Sequence, residues 1–354
     1  MAVEPNRART GVCMESERPV WFSEAMNSLL SRVELTPDVI AEAVRDLLSG
    51  RVDNAHAASF LTALRMKGET AGEIAGAATA LREQMIRLEP KSRPVLDTCG
   101  TGGDDSGTFN ISTASALVVA AAGLAVVKHG NRAVSSRSGS ADAFRELGLA
   151  IDSGVEWSQR CLDELGFAFC FAPHFHSGMA NVAKLRRNLG IRTVFNLLGP
   201  LANPASAEFQ LLGVGKPELL DPLAGAIAKL GTTRSVLVSG HDGLDEVTLA
   251  TATRVRIVEG TTIQEREWHP RDFGFSIESL DAIRAEDPTA SVAIIRSVFA
   301  NEDGPARRIV LVNSAAALWT ANKVHTLKDG IALAESAIDT GAVRNLLERL
   351  GQMR

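Results

Sequence analysis

The sequence is poor in cysteine and in long apolar runs. Its four cysteines have none of the spacing of zinc or redox motifs, and such usage predicts a reduced, cytoplasmic protein rather than a secreted, disulfide-bonded one. The longest apolar stretch, residues 114–127, is interrupted by Gly123 and is too short to cross a membrane, so no membrane partner is expected. The cysteines are Cys13, Cys99, Cys161 and Cys170.

The sequence also lacks a strong charge of one sign. Its formal net charge is -5, and no block of like charges occurs anywhere along the chain. A general nucleic-acid binder normally carries a basic face, so that class of partner is disfavoured. Residues 1–22 are charged and lack an apolar core, which predicts a flexible leader rather than an export signal.

Residues 23–90 predict helices only. Thr36 precedes a proline, and Asn54 precedes a second apolar pattern of helical period, so each is a candidate helix cap. Thr70 and Glu73 have the spacing of a capping box. Short helices with short links indicate a small helical domain.

From residue 91 to the C-terminus, apolar strand-like runs alternate with helical segments. Such alternation predicts an α/β domain with a mainly parallel sheet. The predicted strands are 95–96, 124–127, 167–171, 209–214 and 235–238, with a hairpin over 253–268. The predicted helices include 112–122, 141–147, 179–189 and 217–230.

A glycine-rich segment, Gly100 to Asp104, follows the first strand and leads into an alanine-rich helix. Glycines allow a tight turn, and the start of a helix attracts negative charge, so the segment is a candidate phosphate loop. It is neither a Walker loop nor a dinucleotide fingerprint. A plain glycine turn, with Ser112 or Thr113 as the helix cap, remains the alternative.

A second polar cluster, Lys128 to Ser140, follows the next predicted strand. It combines three cations with several hydroxyls and two glycines, which suits an oxyanion at the carboxyl end of a strand. A solvated basic turn is the alternative interpretation.

The segment Asp242 to Glu246 follows a later strand and contains adjacent carboxylates, Asp245 and Glu246. Mg²⁺ prefers a few carboxylates together with water and substrate phosphates. Asp-Gly is also a common turn sequence, so the pair becomes a metal candidate only beside a phosphate loop.

Two adjacent arginines, Arg186 and Arg187, lie on the predicted helix 179–189. An arginine can grip a carboxylate with two parallel hydrogen bonds. Neighbours on a helix cannot point the same way, and spacing alone does not choose between them.

Five long motifs in this order resemble the anthranilate phosphoribosyltransferase family. The resemblance covers the chain from about Ser28, and the motifs are GTGGD with TFNIST (Gly100 to Thr113), KHGNRAVSSRSGSAD (Lys128 to Asp142), FAPHFH (Phe171 to His176), RRNLGIRTVFNLLGPLANP (Arg186 to Pro204) and DGLDE (Asp242 to Glu246). It implies a nucleoside phosphorylase-like fold, a homodimer formed through the helical domain, and transfer of a phosphoribosyl group from 5-phosphoribosyl 1-pyrophosphate (PRPP) to anthranilate in tryptophan biosynthesis.

The resemblance also implies the site residues. Lys128 and Arg186 would act by positioning and electrostatics, without a general base. Mg²⁺, with two ions per subunit, would engage Ser112, Asp245 and Glu246. Anthranilate would meet Gly100, His129, Asn131, Arg186 and Pro200. PRPP would contact Gly100, Gly103, Asp104, Thr108, Asn110, Ile111, Ser112, Thr113, Lys128, His129, Gly130, Asn131, Arg132, Ala133, Val134, Ser135, Ser136 and Ser140.

The chain departs from the family pattern at three positions. Asp105 stands where glycine is usual, Lys184 replaces a common proline, and Met179 replaces an aromatic residue found in some members. Asp105 places another negative charge beside a phosphate loop, so it must either face solvent or meet the metal.

Two alternatives stand beside this assignment. A pyrimidine nucleoside phosphorylase has a similar architecture and a glycine-rich phosphate loop, but it would not need the TFNIST or DGLDE segments. A non-catalytic relative that binds a phosphoribosyl ligand is favoured by loss of Lys128, Asp245 or Glu246, and all three are present.

Overall fold

The computed structural model describes residues 18–132 and 138–353. The N-terminal part consists of helices that are joined by short turns. They are α1 (Phe22–Leu30), α2 (Pro37–Ser49), α3 (Asn54–Lys67) and α4 (Ala71–Glu83).

Side-chain caps determine where three of these helices begin. Thr36 accepts a hydrogen bond from Val39 N, and Thr70 forms the predicted capping box with Glu73. The prediction for Asn54 was wrong, because Asp53 is the cap and accepts from two backbone N–H groups. A carboxylate one residue earlier meets the helix start directly, and Asn54 becomes the first helical residue.

The core of the helical part begins earlier than the predicted leader allows. Trp21 was assigned to the leader, yet its ring is buried against Phe60 with ring centroids 5.0 Å apart. Its Nε1 donates to Asp46 Oδ2 at 2.9 Å, which anchors the chain just before α1. The rest of the predicted leader, residues 1–17, lies outside the described residues.

A seven-stranded sheet forms the centre of the second part, with the strand order β3-β2-β1-β4-β5-β6-β7. Strands β1 to β5 are parallel, and β6 and β7 form the predicted antiparallel hairpin. This arrangement confirms the predicted α/β class with a mainly parallel sheet. The strands are β1 (Val95–Gly100), β2 (Ala125–Gly130), β3 (Phe167–Phe171), β4 (Phe209–Gly213), β5 (Arg234–Gly240), β6 (Thr253–Glu259) and β7 (Thr262–Trp268).

Helices cover both faces of the sheet. The predicted helix 217–230 starts with a 3-10 turn, so its α-helical part begins at Leu220. The helix over 154–165 was not predicted, and no side chain caps its start. The helices are α5 (Ile111–Ala121), α6 (Ser140–Glu146), α7 (Gly154–Leu165), α8 (Ala172–Phe175), α9 (Met179–Leu189), α10 (Phe195–Leu198), α11 (Leu220–Leu230), α12 (Pro288–Phe299), α13 (Pro305–Thr320), α14 (Leu327–Asp339) and α15 (Ala342–Gln352).

Two large apolar clusters lie on the two sides of the sheet. One contains α5, α13 and their neighbours, and α5 is buried along almost its whole length. The other joins the N-terminal helices to α10 and α11 and to buried side chains of the sheet. The N-terminal helices therefore share a core with the α/β part. In the described ranges, no helix is both long and apolar enough to span a membrane.

The strand order reverses around β1, which lies between β2 and β4. In open parallel sheets, ligands bind at such a reversal, beyond the carboxyl ends of the strands. Strands β1, β2 and β5 run further than predicted, so Lys128 and His129 lie at the end of β2 rather than in a loop. The order of the strands places the glycine loop and the Lys128 cluster at one edge of the sheet.

Candidate active site

The glycine loop after β1 turns through several left-handed residues. Gly102 and Gly103 have φ values of 62° and 76°, and Asp105 has a φ of 53°. Glycine adopts this conformation without strain, and aspartate tolerates it better than most residues do. The side chain of Asp105 is exposed. Of the two outcomes expected for this departure, the structure therefore has Asp105 facing solvent.

A distant segment, residues 283–291, holds the far half of the glycine loop. Phe109 N donates to Ile283 O at 2.9 Å, and Ala285 N donates to the carbonyl of Gly107 at 2.9 Å. Asn110 N donates to Ser291 Oγ at 2.9 Å. The loop is thus fixed by backbone pairing with a segment far away in sequence.

Asn110 also ties this loop to the next one. Its Oδ1 accepts from Ser138 Oγ and from Ser291 Oγ, both at 2.8 Å. Its Nδ2 donates to Ser138 O at 3.2 Å. Most of its hydrogen-bonding capacity is used in joining loops, which leaves one amide hydrogen for a ligand.

Asp245 reaches across β4 to the glycine loop. Its Oδ2 accepts from Gly102 N at 3.2 Å, and a side chain at Gly100 would place its Cβ 2.8 Å from the same oxygen. A Cβ at Gly213, the last residue of β4, would overlap the backbone of Asp245. Glycines at the ends of both strands therefore make room for this carboxylate.

Glu246 and Lys128 meet at the start of α5. The Glu246 carboxylate accepts from the backbone N–H of Ser112, and Lys128 Nζ contacts Ser112 Oγ at 3.0 Å. Nζ also donates to Thr98 O at 2.5 Å. Lys128 is 2 % exposed, and burial lowers the pKa of its amine, while the Asp97 carboxylate opposes the shift. One of its three N–H groups remains for a ligand.

Burial and neighbouring carboxylates raise the pKa values of both Asp245 and Glu246. Burial, followed by the charge of Asp104, raises the pKa of Asp245 to about 7. Burial, followed by the charge of Asp245, raises the pKa of Glu246 to about 8. Like charges that share a site raise each other's pKa, and a cation would relieve them. We call Asp104, Asp245 and Glu246 the acidic cluster.

The acidic cluster suits a cation that takes only part of its coordination from protein. Within residues 18–132 and 138–353, no group of three or more His, Cys, Asp or Glu side chains could hold a metal ion by itself. Mg²⁺ commonly keeps waters and adds substrate phosphate oxygens to one or two carboxylates. The donor chemistry present, two carboxylates and the Ser112 hydroxyl, therefore fits Mg²⁺.

The predicted phosphate-contacting residues divide into exposed and buried groups. Asn131 and Arg132 are exposed after β2, and Ser140 packs so tightly on Gly130 that a Cβ there would overlap it. The predicted contacts at residues 133–136 lie outside the described residues. Ile111 and Thr113 are buried, so only their backbone groups could reach a ligand. Thr108 lies in the loop, paired in an isolated β-bridge.

On the other side of the β2 end, two buried histidines face each other. The rings of His129 and His176 are 4.9 Å apart at their centroids. Burial, followed by the neighbouring His176, lowers the pKa of His129 to about 3, and burial lowers the pKa of His176 to about 4. Both imidazoles are therefore neutral at physiological pH, and we call them the histidine pair.

Each member of the histidine pair donates to a carbonyl of the segment 199–202. His129 Nδ1 is 3.0 Å from Gly199 O, and His176 Nε2 is 3.1 Å from Ala202 O. A carbonyl only accepts, so these contacts fix both tautomers. The remaining ring nitrogens are buried acceptors that lack a hydrogen-bond partner among the described residues. His129 thus comes to lie beside Pro200, and the assignment of both residues to anthranilate stays a prediction.

Arg186 and Arg187 differ as the helix geometry requires. Arg187 is exposed, whereas Arg186 is half-buried with its guanidinium 5.8 Å from the centre of the Phe195 ring. Burial lowers the pKa of Arg186. In the described part of the chain it forms no salt bridge with a carboxylate, so its charge is available to an anion.

One residue of the site was missed by sequence reasoning. Arg192 lies against the glycine loop, with its guanidinium 3.3 Å from Thr101 O and 3.4 Å from Gly102 O. A Cβ on Gly103 would overlap it, so glycine is needed there for space as well as for its positive φ. No local pattern around Arg192 indicates this contact.

Two family models match the chain. A model described as glycosyl transferase family, helical bundle domain, matches residues 23–85. A second, described as glycosyl transferase family, a/b domain, matches residues 92–344. Together they span both the helical part and the sheet.

Relatives of known function match over most of their length. The anthranilate phosphoribosyltransferase of Symbiobacterium thermophilum is 45% identical over 92% of this chain and 96% of its own. The structure of the Thermus thermophilus enzyme of the same name has a TM-score of 0.86 and 41% identity, covering 93% of this chain and 98% of that one. The Saccharomyces cerevisiae enzyme in complex with PRPP and Mg has a TM-score of 0.85 and 30% identity, covering 94% and 97%.

Proposed function

The chain belongs to the anthranilate phosphoribosyltransferase family, and from this membership we infer that its crevice transfers a phosphoribosyl group from PRPP to the amine of anthranilate. The products are N-(5-phosphoribosyl)anthranilate and pyrophosphate, in a step of tryptophan biosynthesis. The observation that carries this function is the convergence of the glycine loop, buried Lys128 and the acidic cluster at one edge of the sheet.

The donor PRPP binds at the glycine loop and the start of α5. The glycine loop leads into this helix start, which favours negative charge. The N–H groups of Asn110, Ile111 and Ser112 already donate to Ser291 Oγ, Phe109 O and the Glu246 carboxylate, so the loop residues before them supply the backbone donors. Two cations lie at the end of β2 and just beyond it: Lys128, which has one free N–H, and the exposed Arg132. The exposed Asn131 adds an amide donor. Asp104, Thr108 and Ser140 complete the polar lining that the family resemblance assigns to PRPP.

Mg²⁺ binds at Asp245, Glu246 and Ser112, with two ions per subunit. Raised pKa values of both carboxylates support a cation at this place, because burial and neighbouring carboxylates disfavour their charged forms more than Lys128 and the backbone N–H groups favour them. When bound, the metal neutralises charge that develops on the leaving pyrophosphate.

Anthranilate binds on the side of the histidine pair. The half-buried Arg186 has a charge free for the substrate carboxylate, and Asn131, Gly100, His129 and Pro200 line the approach to the ribose. Neutral imidazoles place no cation beside the amine that must attack. The apolar ring of Phe195 under Arg186 fits an aromatic substrate.

Transfer is a displacement at the ribose C1 carbon. The amine nitrogen forms the new bond as the C1–oxygen bond to pyrophosphate breaks, and one amine proton is then lost to solvent. An aromatic amine is neutral and nucleophilic at neutral pH, so the chain supplies positioning and charge stabilisation rather than a general base. Lys128 and the loop N–H groups stabilise the departing oxygens.

The experiment follows anthranilate fluorescence while protein, PRPP and Mg²⁺ are mixed. The signal should fall with time and stay constant when PRPP is omitted. A constant signal in the complete mixture, together with phosphorolysis of thymidine, would instead assign the chain to nucleoside phosphorolysis.

A homodimer in the cytoplasm is the proposed working form. Leu30, Val33 and Met66 on the helical part are 73%, 55% and 81% exposed, which supports an apolar contact there. The thiols of Cys99, Cys161 and Cys170 are free and buried, which agrees with a reducing compartment. Light scattering coupled to gel filtration would give the mass, and Met66→Glu should shift it towards the monomer.

A further inference from the structure

The four consecutive carbonyls of the segment 199–202 are all held by side chains from other elements. Gly199 O and Ala202 O accept from the histidine pair. Pro200 O accepts from Gln210 Nε2 at 2.6 Å, and Leu201 O accepts from Arg82 Nε at 2.6 Å. A run of four such contacts fixes the backbone of this segment from four directions.

Arg82 differs from the other three donors in its origin. His129 and Gln210 belong to the sheet, and His176 follows the short helix after β3. Arg82 belongs to the last turn of α4, in the N-terminal helical part, and lies 119 residues from its acceptor in sequence. Among the four donors, Arg82 is therefore the one that connects the helical part to the segment 199–202, which contains Pro200.

Arg82 is a half-buried cation that has no carboxylate partner among the described residues. It is half-buried, and burial, followed by the nearby Arg87, lowers the pKa of its guanidinium. Among residues 18–132 and 138–353, it forms no salt bridge with a carboxylate. Keeping a cation there costs free energy, and its observed hydrogen-bond partner is the Leu201 carbonyl.

We propose that Arg82 is a positioning residue for the amine acceptor: it holds the segment 199–202 from the helical part and so sets the wall against which anthranilate is oriented. The inference rests on the proposed function, because Pro200 was assigned to anthranilate there. Arg82 itself does not touch the substrate. Its removal should therefore affect anthranilate and leave the PRPP side, on the other edge of the crevice, almost unchanged.

The test compares Arg82→Met and Arg82→Lys with Arg45→Met and Arg45→Lys. Arg45 is the matched control, because it lies in the same helical part but pairs with Glu83 on the surface at 2.6 Å. For each full-length variant, KM and kcat are measured separately for anthranilate and for PRPP with Mg²⁺, together with the melting temperature.

Arg82→Met should raise the KM for anthranilate about tenfold, the fold-change that corresponds to about 1.4 kcal/mol. The KM for PRPP should change less than about twofold, and Arg82→Lys, which keeps charge and stem, should recover part of the loss. Both Arg45 variants should match the wild type.

Three results would overturn the assignment. They are equal changes in both KM values, no change in either, or Arg82→Lys behaving like Arg82→Met. If Arg82→Met does not fold, the test depends on Arg82→Lys. A KM for anthranilate in that variant equal to the wild-type value would also overturn the positioning role of Arg82. Failure of the proposed function is distinguishable, because then the wild type and the Arg45 variants would not consume anthranilate at all.

Discussion

On one side of the site, burial and the charges of neighbouring carboxylates raise the pKa values of Asp245 and Glu246 to about 7 and about 8. On the other side, burial lowers the pKa values of His129 and His176 to about 3 and about 4. Burial disfavours the charged form in both places. The acidic cluster, however, contains like charges that a cation can relieve, whereas the histidine pair has no charge to relieve.

This difference matches the two partners of the proposed reaction. The acidic cluster stands beside the loop that would bind pyrophosphate, where a metal ion would balance both sets of negative charge. The histidine pair lies beside the segment 199–202, where the proposed reaction has a neutral amine approach. In the proposed reaction, charge would be available where the leaving group develops it, and the two imidazoles would add none where the amine attacks.

The largest expected effect comes from removing the charge of the acidic cluster. Asp245→Asn combined with Glu246→Gln should lower Mg²⁺-dependent turnover by roughly 100- to 1000-fold, by analogy with loss of one transition-state stabilising group. The melting temperature of the metal-free protein should not fall, because the double change removes repulsion. Steady-state rates and thermal melts check both outcomes.

Glu265→Gln is the control for this double variant, since Glu265 is an exposed carboxylate on β7 that pairs with Arg256. It should keep full turnover. If the double variant keeps wild-type activity with the same Mg²⁺ requirement, the metal binds elsewhere. The acidic cluster would then not differ from the histidine pair by binding a cation.

Arg186→Ala should have the next largest effect. Loss of a charged hydrogen bond of about 1.5–3 kcal/mol should raise the KM for anthranilate roughly 10- to 100-fold and leave the KM for PRPP nearly unchanged. Arg187→Ala is the matched control, because its side chain is exposed on the same helix. Equal effects of Arg186→Ala on both substrates would remove this arginine from the acceptor side.

The histidine pair predicts an acid-sensitive fold. An unfolded imidazole binds a proton near its ordinary pKa of 6.5, whereas the folded pair does so only at about 3 and about 4. The unfolded state therefore binds more protons below pH 6.5. The contribution of the pair to the free energy of unfolding should be fully present above pH 6.5 and should fall as pH drops towards 4. The raised pKa values of Asp245 and Glu246 act in the opposite direction over this range, so the contribution has to be read from variants of the pair.

Urea unfolding at several pH values measures this loss. Relative to the wild type, His129→Gln and His176→Gln should each increase the free energy of unfolding at pH 4 compared with its value at pH 6.5, and His325→Gln, at an exposed position, serves as the control. An unchanged slope in both variants would mean that the imidazoles do not stay neutral in the folded protein.

Local signals in the sequence predicted much of the fold. The caps at Thr36 and Thr70 and the hairpin over 253–268 each depend on neighbouring residues, and all three were confirmed. Lys128 and His129 were placed in a loop because the polar cluster follows the apolar run 124–127, where α/β folds place ligand loops. Their side chains are accommodated at the end of β2 by specific partners, Ser112 and the Gly199 carbonyl.

Long-range contacts could not be predicted in this way. Arg192 is about 90 residues from the carbonyls it contacts, and Arg82 is 119 residues from Leu201. Neither has a local period or cap that marks it, and only the fold brings them to the crevice. The contacts assigned to residues 133–136 stay predictions.

The smallest expected effect distinguishes two adjacent carboxylates of the glycine loop. Asp104 belongs to the acidic cluster and raises the pKa of Asp245, whereas Asp105 is exposed and has a positive φ. Water and salt screen an exposed charge, so Asp105→Asn should change the KM for PRPP by less than about threefold. Asp105→Gly should behave alike, because glycine accepts the same backbone conformation. Asp104→Asn, measured at the same Mg²⁺ concentrations, should have the larger effect. If Asp105→Asn raised the KM for PRPP as much as Asp104→Asn does, Asp105 would belong to the acidic cluster. The cluster would then reach the solvent-exposed part of the glycine loop, and its contrast with the enclosed histidine pair would be weaker.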